Sequence, residues 1–302
     1  MALQNENLAV EFYLVGKKGH DVLIEFVRQN GIETIAFVIA ARDRGVQNDY
    51  FDQIKAFCLN QKVSFFERNN DSPPVRKNNC HYGFAIGWRW LIDSSVDLIV
   101  FHDSPLPKYR GFAPLVSMLM NGESMIGVTA LMADKEYDKG DIVAQELVKI
   151  EYPIKICKAI DRLIPLYIKL VDDIYKLLKQ GTLRGRKQKE ELATYSLWRD
   201  GEDYFIDWHN DAGYIARFCD SVGYPYKGAM TYINGESYRV LDVEIHPDVV
   251  VESRVNNIGK IIFMQDGCPV VVCRSGLLKI LNFRQEGASD VNKTLPFRSR
   301  FT

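Results

Sequence analysis

The sequence predicts an α/β protein: a Rossmann-like domain built on a parallel sheet, followed by a smaller β-rich, barrel-like domain. Three observations support this fold class. Up to about residue 180, apolar runs of strand length alternate with segments of helical spacing. A connector rich in lysine and arginine follows, and the rest of the chain holds short apolar runs separated by turn residues. Strand–helix alternation with short connections is typical of a doubly wound parallel sheet.

The first domain is predicted to span residues 1–185. Its pattern predicts strands at residues 10–15, 34–40, 63–66, 96–101 and 126–132, a strand that begins at residue 84 and runs into residues 87–92, and helices at residues 22–29, 50–59 and 154–178. Pro165 is expected to kink or break the last helix. The segment between Asn69 and Cys80 is expected to be a loop. The Gly16–Gly19 turn lacks the glycine spacing of known phosphate-binding loops, so we expect it to face solvent.

The second domain is predicted to span residues 186–302. The connector at residues 179–191 is expected to be solvated because of its lysines and arginines. Beyond it, a helix is predicted at residues 212–219 and strands at residues 238–245, 260–264, 269–273 and 277–283. Turn signals at Asn234-Gly235, Asp266-Gly267 and Ser275-Gly276 separate some of these strands. Short strands at such spacing predict a small barrel or sandwich.

Composition favours a cytoplasmic protein with a small-molecule substrate. The 302 residues carry a formal net charge of -1, which argues moderately against a nucleic-acid surface. The six cysteines are scattered without a CxxC pair, as expected for reduced thiols and not for a metal site or disulfide framework. Acidic residues interrupt the N-terminus, so no signal peptide is expected. No run approaches the roughly 20 apolar residues of a membrane span.

A histidine and an aspartate stand out as candidate catalytic residues. His102 closes the apolar run before it, on a turn stiffened by Pro105 and Pro107, and Asp138 lies in a glycine-containing loop after the next strand. Loops at strand ends of open α/β sheets share the crevice where ligands bind. A histidine titrates near neutrality, and a neighbouring carboxylate favours its charged form. The alternative is a core histidine, which is the commoner role for a lone one.

Further residues surround this pair at fixed spacing. They are Ser104, Leu106-Pro107, Arg110-Gly111, Pro114, Gly127-Val128-Thr129 and Asp138-Lys139-Gly140-Asp141-Ile142, with Ile206-Asp207-Trp208 and residues 224–229 further on. In this pattern the chain resembles the 10-formyltetrahydrofolate-dependent formyltransferases. That family formylates methionyl-tRNA, glycinamide ribonucleotide or nucleotide-linked amino sugars. The similarity is specific between His102 and Asp141 and weaker over most of the chain.

The resemblance implies formyl transfer from 10-formyltetrahydrofolate to an amine. By analogy, His102 is the acid/base and Asp138 its partner, and the reaction needs no metal. The folate co-substrate is expected to contact Trp90, Leu91, Ile92, Asp134, Tyr137 and Asp138. Trp88 and Trp90 fit equally well as core aromatics.

One position departs from the family pattern. The family has an asparagine two residues before the histidine, which donates a hydrogen bond to the formyl oxygen, and this chain has Val100. Losing such a donor typically costs on the order of a hundred- to a thousandfold in rate. Ser104, a backbone amide or a water could replace it. Otherwise the enzyme is slow, or the chain is a non-catalytic folate- or sugar-binding relative.

The acceptor is expected to be a nucleotide-linked amino sugar, with methionyl-tRNA as the alternative. The segment around His102 is most similar to the sugar-modifying branch. The Trp88-Arg89-Trp90 segment and the second domain are similar to formyltransferases of the pseudaminic acid type. Lys108, Tyr109, Arg110 and Tyr224 are the candidate substrate contacts. For Arg110, an ion pair that fixes the loop is an equal alternative. We expect neither a nucleic-acid nor a membrane partner, and apolar strands in the second domain would permit a homodimer.

Overall fold

A mixed sheet forms the centre of the first domain in the computed structural model, which describes residues 8–69, 80–92, 95–288 and 295–302. The strands of this domain are, in chain order, β1 (Ala9–Leu14), β2 (Ile35–Ala40), β3 (Phe65–Glu67), β4 (Cys80–Ile86), β5 (Asp97–His102), β6 (Arg110–Gly111), β7 (Met125–Met132) and β8 (Ile142–Lys149). All but the two-residue β6 join one sheet in the order β3-β2-β1-β4-β5-β7-β8.

The direction of the strands confirms the α/β class and refines it. Strands β1 to β5 are parallel, as the sequence predicts. Strand β7 runs antiparallel to β5, and β8 runs antiparallel to β7. The sheet therefore carries an antiparallel hairpin at one edge, which strand periodicity alone does not distinguish from further parallel strands.

Four helices accompany this sheet. They are α1 (Gly16–Asn30), α2 (Phe51–Asn60), α3 (Pro114–Met120) and α4 (Ile156–Lys179). Phe26 of α1 meets Phe12 of β1 and Tyr175 of α4, with ring centroids 5.0 Å apart in both pairs. These contacts bury the apolar faces of α1 and α4 against the sheet and each other. Helix α4 stays continuous through Pro165, whose exposed position leaves the carbonyl freed by the missing N–H accessible to water.

Two local predictions are wrong. Helix α1 begins at Gly16 and not at residue 22, so the glycine–lysine segment is a half-buried first turn and not a solvent-facing loop. Strand β4 ends at Ile86, because Gly87 turns the chain with a φ of 65°, where an added Cβ would lie 2.6 Å from the Val15 carbonyl oxygen. The segment after Gly87 therefore leaves the sheet. Most of the loop predicted between Asn69 and Cys80 lies outside the described residues.

The second domain is an antiparallel sheet with one packed helix. Its elements are the two-residue strand β9 (Tyr195–Ser196), which pairs with β6, helix α5 (Ala212–Val222), strands β10 (Ala229–Ile233) and β11 (Glu236–His246), the short helix α6 (Arg254–Asn257), and strands β12 (Ile261–Gln265), β13 (Cys268–Val272) and β14 (Leu277–Gln285). The sheet order is β10-β11-β14-β13-β12. Phe301 bridges to Ile233 and Arg300 to Lys260, so the C-terminal residues link the two edges, as in a barrel.

The connector between the domains is attached to the first domain. Arg186 and Ile142 exchange both backbone hydrogen bonds at 2.8 Å. The connector's cationic side chains are mostly exposed, as expected, but its backbone does not run free in solvent. None of the helices in the described ranges is long and apolar enough to cross a membrane. All six cysteines are free thiols.

Candidate active site

His102 is the last residue of β5, and only 7 % of it is exposed. Its Nε2 lies 2.8 Å from the Tyr109 carbonyl oxygen, and its Nδ1 lies 3.4 Å from Oδ1 of Asp138. A carbonyl and a carboxylate only accept hydrogen bonds, so the ring can serve both partners only when both nitrogens carry hydrogens. Each ring nitrogen of His102 therefore faces an acceptor.

Asp138 reaches His102 by an unexpected path. His102 lies opposite Thr129, and Ile99 lies opposite Met132, so β7 runs away from the histidine. The loop between β7 and β8 must fold back to bring the carboxylate to His102. Asp138 has a φ of 56°, and its Oδ2 accepts a hydrogen bond of 2.8 Å from the Gly111 amide. The structure thus brings together the two residues that the sequence singled out, although their strands are not parallel.

A cavity of about 700 Å³ opens beside this pair. Small-molecule sites usually have volumes between about 300 and 1,000 Å³. All the candidate folate contacts line it, namely Trp90, Leu91, Ile92, Asp134, Tyr137 and Asp138. The second domain contributes Trp198, Arg199, Tyr204, Tyr224, Pro225 and Tyr226 to its wall. The cavity therefore lies between the two domains, with His102 and Asp138 on the side of the first.

The tryptophans near β4 are cavity residues and not core aromatics. Trp88 and Trp90 are half-buried, and their rings meet edge to face with centroids 5.3 Å apart. Trp90 also lies against the Arg68 guanidinium, at 4.3 Å from its ring centroid. The buried indole nitrogen of Trp88 has no hydrogen-bond partner among the described residues. This wall offers the cavity flat apolar surface.

The candidate substrate contacts separate into two groups. Tyr224 lines the cavity and is 52 % exposed. Lys108, Tyr109 and Arg110 do not line it. The Tyr109 hydroxyl donates to Glu123, and the fully buried Arg110 pairs with Glu190 at 2.7 Å. The structure therefore shows the ion-pair alternative for Arg110.

The residues around Val100 show which groups could replace the missing hydrogen-bond donor to the formyl oxygen. Val100 is half-buried and lines the cavity. Ser104 is fully buried, and its hydroxyl donates 2.7 Å to the Lys108 carbonyl, so it does not replace an asparagine amide. Of the three replacements considered, a backbone amide or a water is compatible with this arrangement.

Charged groups around the cavity are largely paired. Lys18 forms an ion pair with Asp103, which also accepts a hydrogen bond of 2.6 Å from the Tyr167 hydroxyl. Burial, together with Asp103, raises the pKa of Tyr167 well above its usual value, so this hydroxyl remains a donor. Lys17 pairs with Asp21 at 2.8 Å. No group of three or more His, Cys, Asp or Glu side chains in the described part of the chain is placed to hold a metal ion.

Several residues of this wall are not predicted from the sequence. Lys17 and Lys18 belong to the glycine–lysine segment. The two adjacent lysines are a signal that the sequence does contain. Trp198, Arg199 and Tyr204 reach the cavity only because the second domain packs over it, and no local pattern marks them.

Comparison with known proteins agrees with this architecture. The family model described as formyl transferase matches residues 81–155, and the model described as formyl transferase, C-terminal domain, matches residues 200–299. The chain carries both domains of the formyl transferase family. The first match includes His102 and Asp138, and the second covers the barrel-like domain.

Individual relatives share part of the sequence or the fold of this chain. A methionyl-tRNA formyltransferase of Caldanaerobacter subterraneus subsp. tengcongensis is 33% identical over 188 residues, which are 62% of this chain and 59% of that protein. HypX from Aquifex aeolicus, solved in complex with tetrahydrofolic acid, aligns with a TM-score of 0.61 and 16% identity over 96% of this chain and 46% of its own. An N-formyltransferase from Helicobacter canadensis, solved with folinic acid and dTDP-3-aminofucose, aligns with a TM-score of 0.67 and 13% identity over 90% of this chain and 98% of its own.

The chain spans less than two thirds of the methionyl-tRNA formyltransferase and less than half of HypX. At 13% to 16% identity, the two solved structures show a shared fold.

Proposed function

We propose that this formyl transferase-type chain moves a formyl group from 10-formyltetrahydrofolate to the amine of a nucleotide-linked amino sugar. The observation that carries the proposal is the His102–Asp138 pair, 3.4 Å apart, on the wall of a 700 Å³ cavity. A paired histidine and carboxylate beside a cavity of this size are suited to acid–base chemistry on a bound small molecule.

The reaction forms a carbon–nitrogen bond to the acceptor amine and breaks the bond between the formyl carbon and a folate nitrogen. His102 accepts the proton that the attacking amine loses and donates a proton to the departing folate nitrogen. Asp138 stabilises the charged imidazole between these two steps. Donors near Val100 would have to stabilise the oxyanion that develops on the formyl oxygen.

The residues beside β4 fit a folate. A pterin is flat and carries hydrogen-bond donors and acceptors along its edges, so it suits a wall with apolar faces and unused polar groups. Trp88 and Trp90 supply such faces. Leu91 and Ile92 extend the apolar wall towards Asp134 and Tyr137.

A sugar acceptor suits the charges around the cavity better than a tRNA does. Binding of a nucleic acid depends on cations that are free to neutralise backbone phosphates. Lys18 and Arg89 are instead paired with Asp103 and Asp43. The Helicobacter canadensis enzyme, which was solved with a dTDP-linked amino sugar, also shares nearly its whole length with this fold.

Methionyl-tRNA is the second candidate acceptor, because the 33% identical relative is a methionyl-tRNA formyltransferase. The two candidates differ in how ionic strength affects them. Binding of charged tRNA should weaken steeply as salt rises, whereas turnover of a small sugar nucleotide should respond only weakly.

Mass spectrometry tests the proposal directly. Purified protein is given 10-formyltetrahydrofolate with a panel of nucleotide-linked amino sugars and, separately, charged initiator tRNA, with the His102→Ala variant as control. A sugar product heavier by one formyl group, about 28 Da, and absent with the variant would support the proposal. Formylation of the tRNA alone would favour the second candidate, and folate binding without any product would indicate a non-catalytic relative.

A further inference from the structure

The connector and the segment just after it contact both partners of His102, Tyr109 and Asp138. Thr194 accepts a hydrogen bond of 2.8 Å from the Tyr109 amide through its Oγ1, and its carbonyl accepts one of 2.8 Å from the Arg110 amide. Tyr109 supplies the carbonyl that faces Nε2 of His102. Six residues earlier in the connector, Gln188 reaches the loop that carries Asp138.

The Gln188 side chain binds the backbone of the Asp138 loop directly. Its Nε2 donates to the carbonyl oxygens of Asp138 and Gly140 at 2.7 and 2.8 Å. Its Oε1 accepts from Nε and Nη2 of Arg110 at 3.1 and 2.9 Å. The amide orientation follows from this chemistry, because carbonyls cannot donate and a guanidinium cannot accept.

Arg110 in turn fixes the amide of Gln188. Its guanidinium forms two parallel bonds with the Glu190 carboxylate, at 2.8 and 2.7 Å, and the arginine is completely buried. Such a bidentate pair restricts the guanidinium in position and in plane. The hydrogen bond to Arg110 also lowers the pKa of Glu190, so the carboxylate stays charged. A buried arginine and two connector residues thus form one rigid support.

Asp138 needs such a support because of its own geometry. With a φ of 56°, it occupies the left-handed region, which disfavours residues with a Cβ. Its loop also folds back against the direction of β7 to reach His102. The Gly111 amide holds one carboxylate oxygen, and Gln188 holds the backbone carbonyl of the same residue. Side chain and backbone of Asp138 are therefore fixed from two sides.

We propose that Gln188 is a positioning residue that keeps the Asp138 carboxylate against Nδ1 of His102. Its expected effect on turnover rests on the proposed function, whereas its effect on His102 does not. The assignment gives the connector a role at the active site and not only between the domains. Lys18 and Asp103, which also line the cavity, form an ion pair with each other.

Two substitutions distinguish the effect of the Gln188 hydrogen bonds from the effect of the volume that its side chain occupies. Gln188→Met keeps the length of the side chain but cannot donate or accept as the amide does. Gln188→Glu keeps an acceptor for Arg110 and loses the N–H that binds the loop. Gln180→Met, at an exposed position at the start of the same connector, is the matched control.

The measurements are the NMR resonances of the His102 ring nitrogens and steady-state kinetics. In Gln188→Met we expect the Nδ1 resonance of His102 to change, because the carboxylate moves away from the imidazole. We expect kcat to fall about 10- to 100-fold in both Gln188 variants, with KM nearly unchanged. The control should match the wild type in both measurements.

The NMR measurement needs no substrate, so it tests Gln188 even if the wild type turns over none of the acceptors offered. Absence of turnover in the wild type would reject the proposed function alone. A wild-type Nδ1 resonance in folded Gln188→Met would overturn the positioning role. Wild-type kcat in folded Gln188→Glu would overturn it as well. If Gln188→Met fails to fold, Gln188→Glu carries the kinetic test, because it retains the contact with Arg110.

Discussion

Val100 and His102 point to the same side of β5, and both line the cavity. Alternate residues of a strand share a face, so the residue two positions before the histidine faces the same reacting groups. Val100 is paired with Leu131 across β5 and β7, and its side chain packs against Leu106, Leu131 and Ile142. A side chain at this position therefore meets both an apolar cluster and the cavity.

Replacing Val100 with asparagine should raise activity and lower stability. The new amide would face the cavity beside His102, where it can donate to the developing oxyanion, and we expect kcat to rise about 10- to 100-fold. The same amide would be partly buried against apolar side chains, so the free energy of unfolding should fall by about 1–3 kcal/mol. Formyl-transfer kinetics and urea unfolding measure the two effects.

Val100→Ala is the control for this substitution. It removes the same apolar contacts without adding a donor, so it should lose stability and gain no activity. If Val100→Asn is folded and no faster than the wild type, a backbone amide or a water already serves the formyl oxygen.

Local patterns predict much of this fold, and the spacing of motif residues predicts the central pair. The turns at Asn234-Gly235 and Asp266-Gly267 have positive φ, as such dipeptides favour. The spacing of the motif residues predicts the contact between His102 and Asp138. The parallel direction expected for the strand before Asp138 is wrong, because β7 is antiparallel to β5. Apolar periodicity carries no information on direction, because a parallel and an antiparallel strand bury the same alternation.

Long-range contacts account for what the sequence does not reveal. Arg110 looks like a substrate contact on the same loop as His102, but its burial depends on a glutamate 80 residues away. Gln188 likewise looks like part of a solvated connector, because the loop that it contacts is distant in the sequence. Its role is visible only once the connector is seen against the Asp138 loop. Contacts between distant segments depend on how the folded chain packs. The local sequence pattern around each residue does not show them.

The Asp138→Asn substitution tests the partner of the histidine without removing its contacts. Asparagine has the same shape and still offers an oxygen to the Gly111 amide, so the loop should keep its position. It cannot stabilise a charged imidazole, and we expect kcat to fall about a hundredfold or more. A kcat within threefold of the wild type would remove Asp138 from the proposed reaction.

The Arg110→Lys substitution decides between the ion pair and a substrate contact. A lysine is a point charge that cannot bind Gln188 and Glu190 together through a planar fork. Because this position is completely buried, the free energy of unfolding should fall by about 2–4 kcal/mol without any ligand. Lys108→Ala, at an exposed neighbouring position, should leave it unchanged. Unchanged stability with a raised KM for the acceptor would instead assign Arg110 to the substrate.

Asp220 in α5 makes the stability of the second domain depend on pH. Burial raises the pKa of this carboxyl to about 6, and the neighbouring Asp242 adds to the effect although Lys155 opposes it. Lys155 itself pairs with Asp242 at 2.5 Å. The folded state therefore holds a proton that the unfolded chain releases near the ordinary value of about 4. Asp220 thus favours folding fully below that value, and the contribution is lost as pH rises through about 6.

Asp220→Asn should therefore be more stable than the wild type at pH 8, because asparagine needs no ionisation in a half-buried position. The gain should be about 1–2 kcal/mol, since partial exposure reduces the full effect of a two-unit shift. It should shrink as pH falls below about 6 and vanish well below 4, where the wild-type carboxyl is protonated in both states. Urea unfolding of both proteins at several pH values measures this. A difference that is constant between pH 5 and pH 8 would show that Asp220 acts through packing or hydrogen bonding and not through its ionisation.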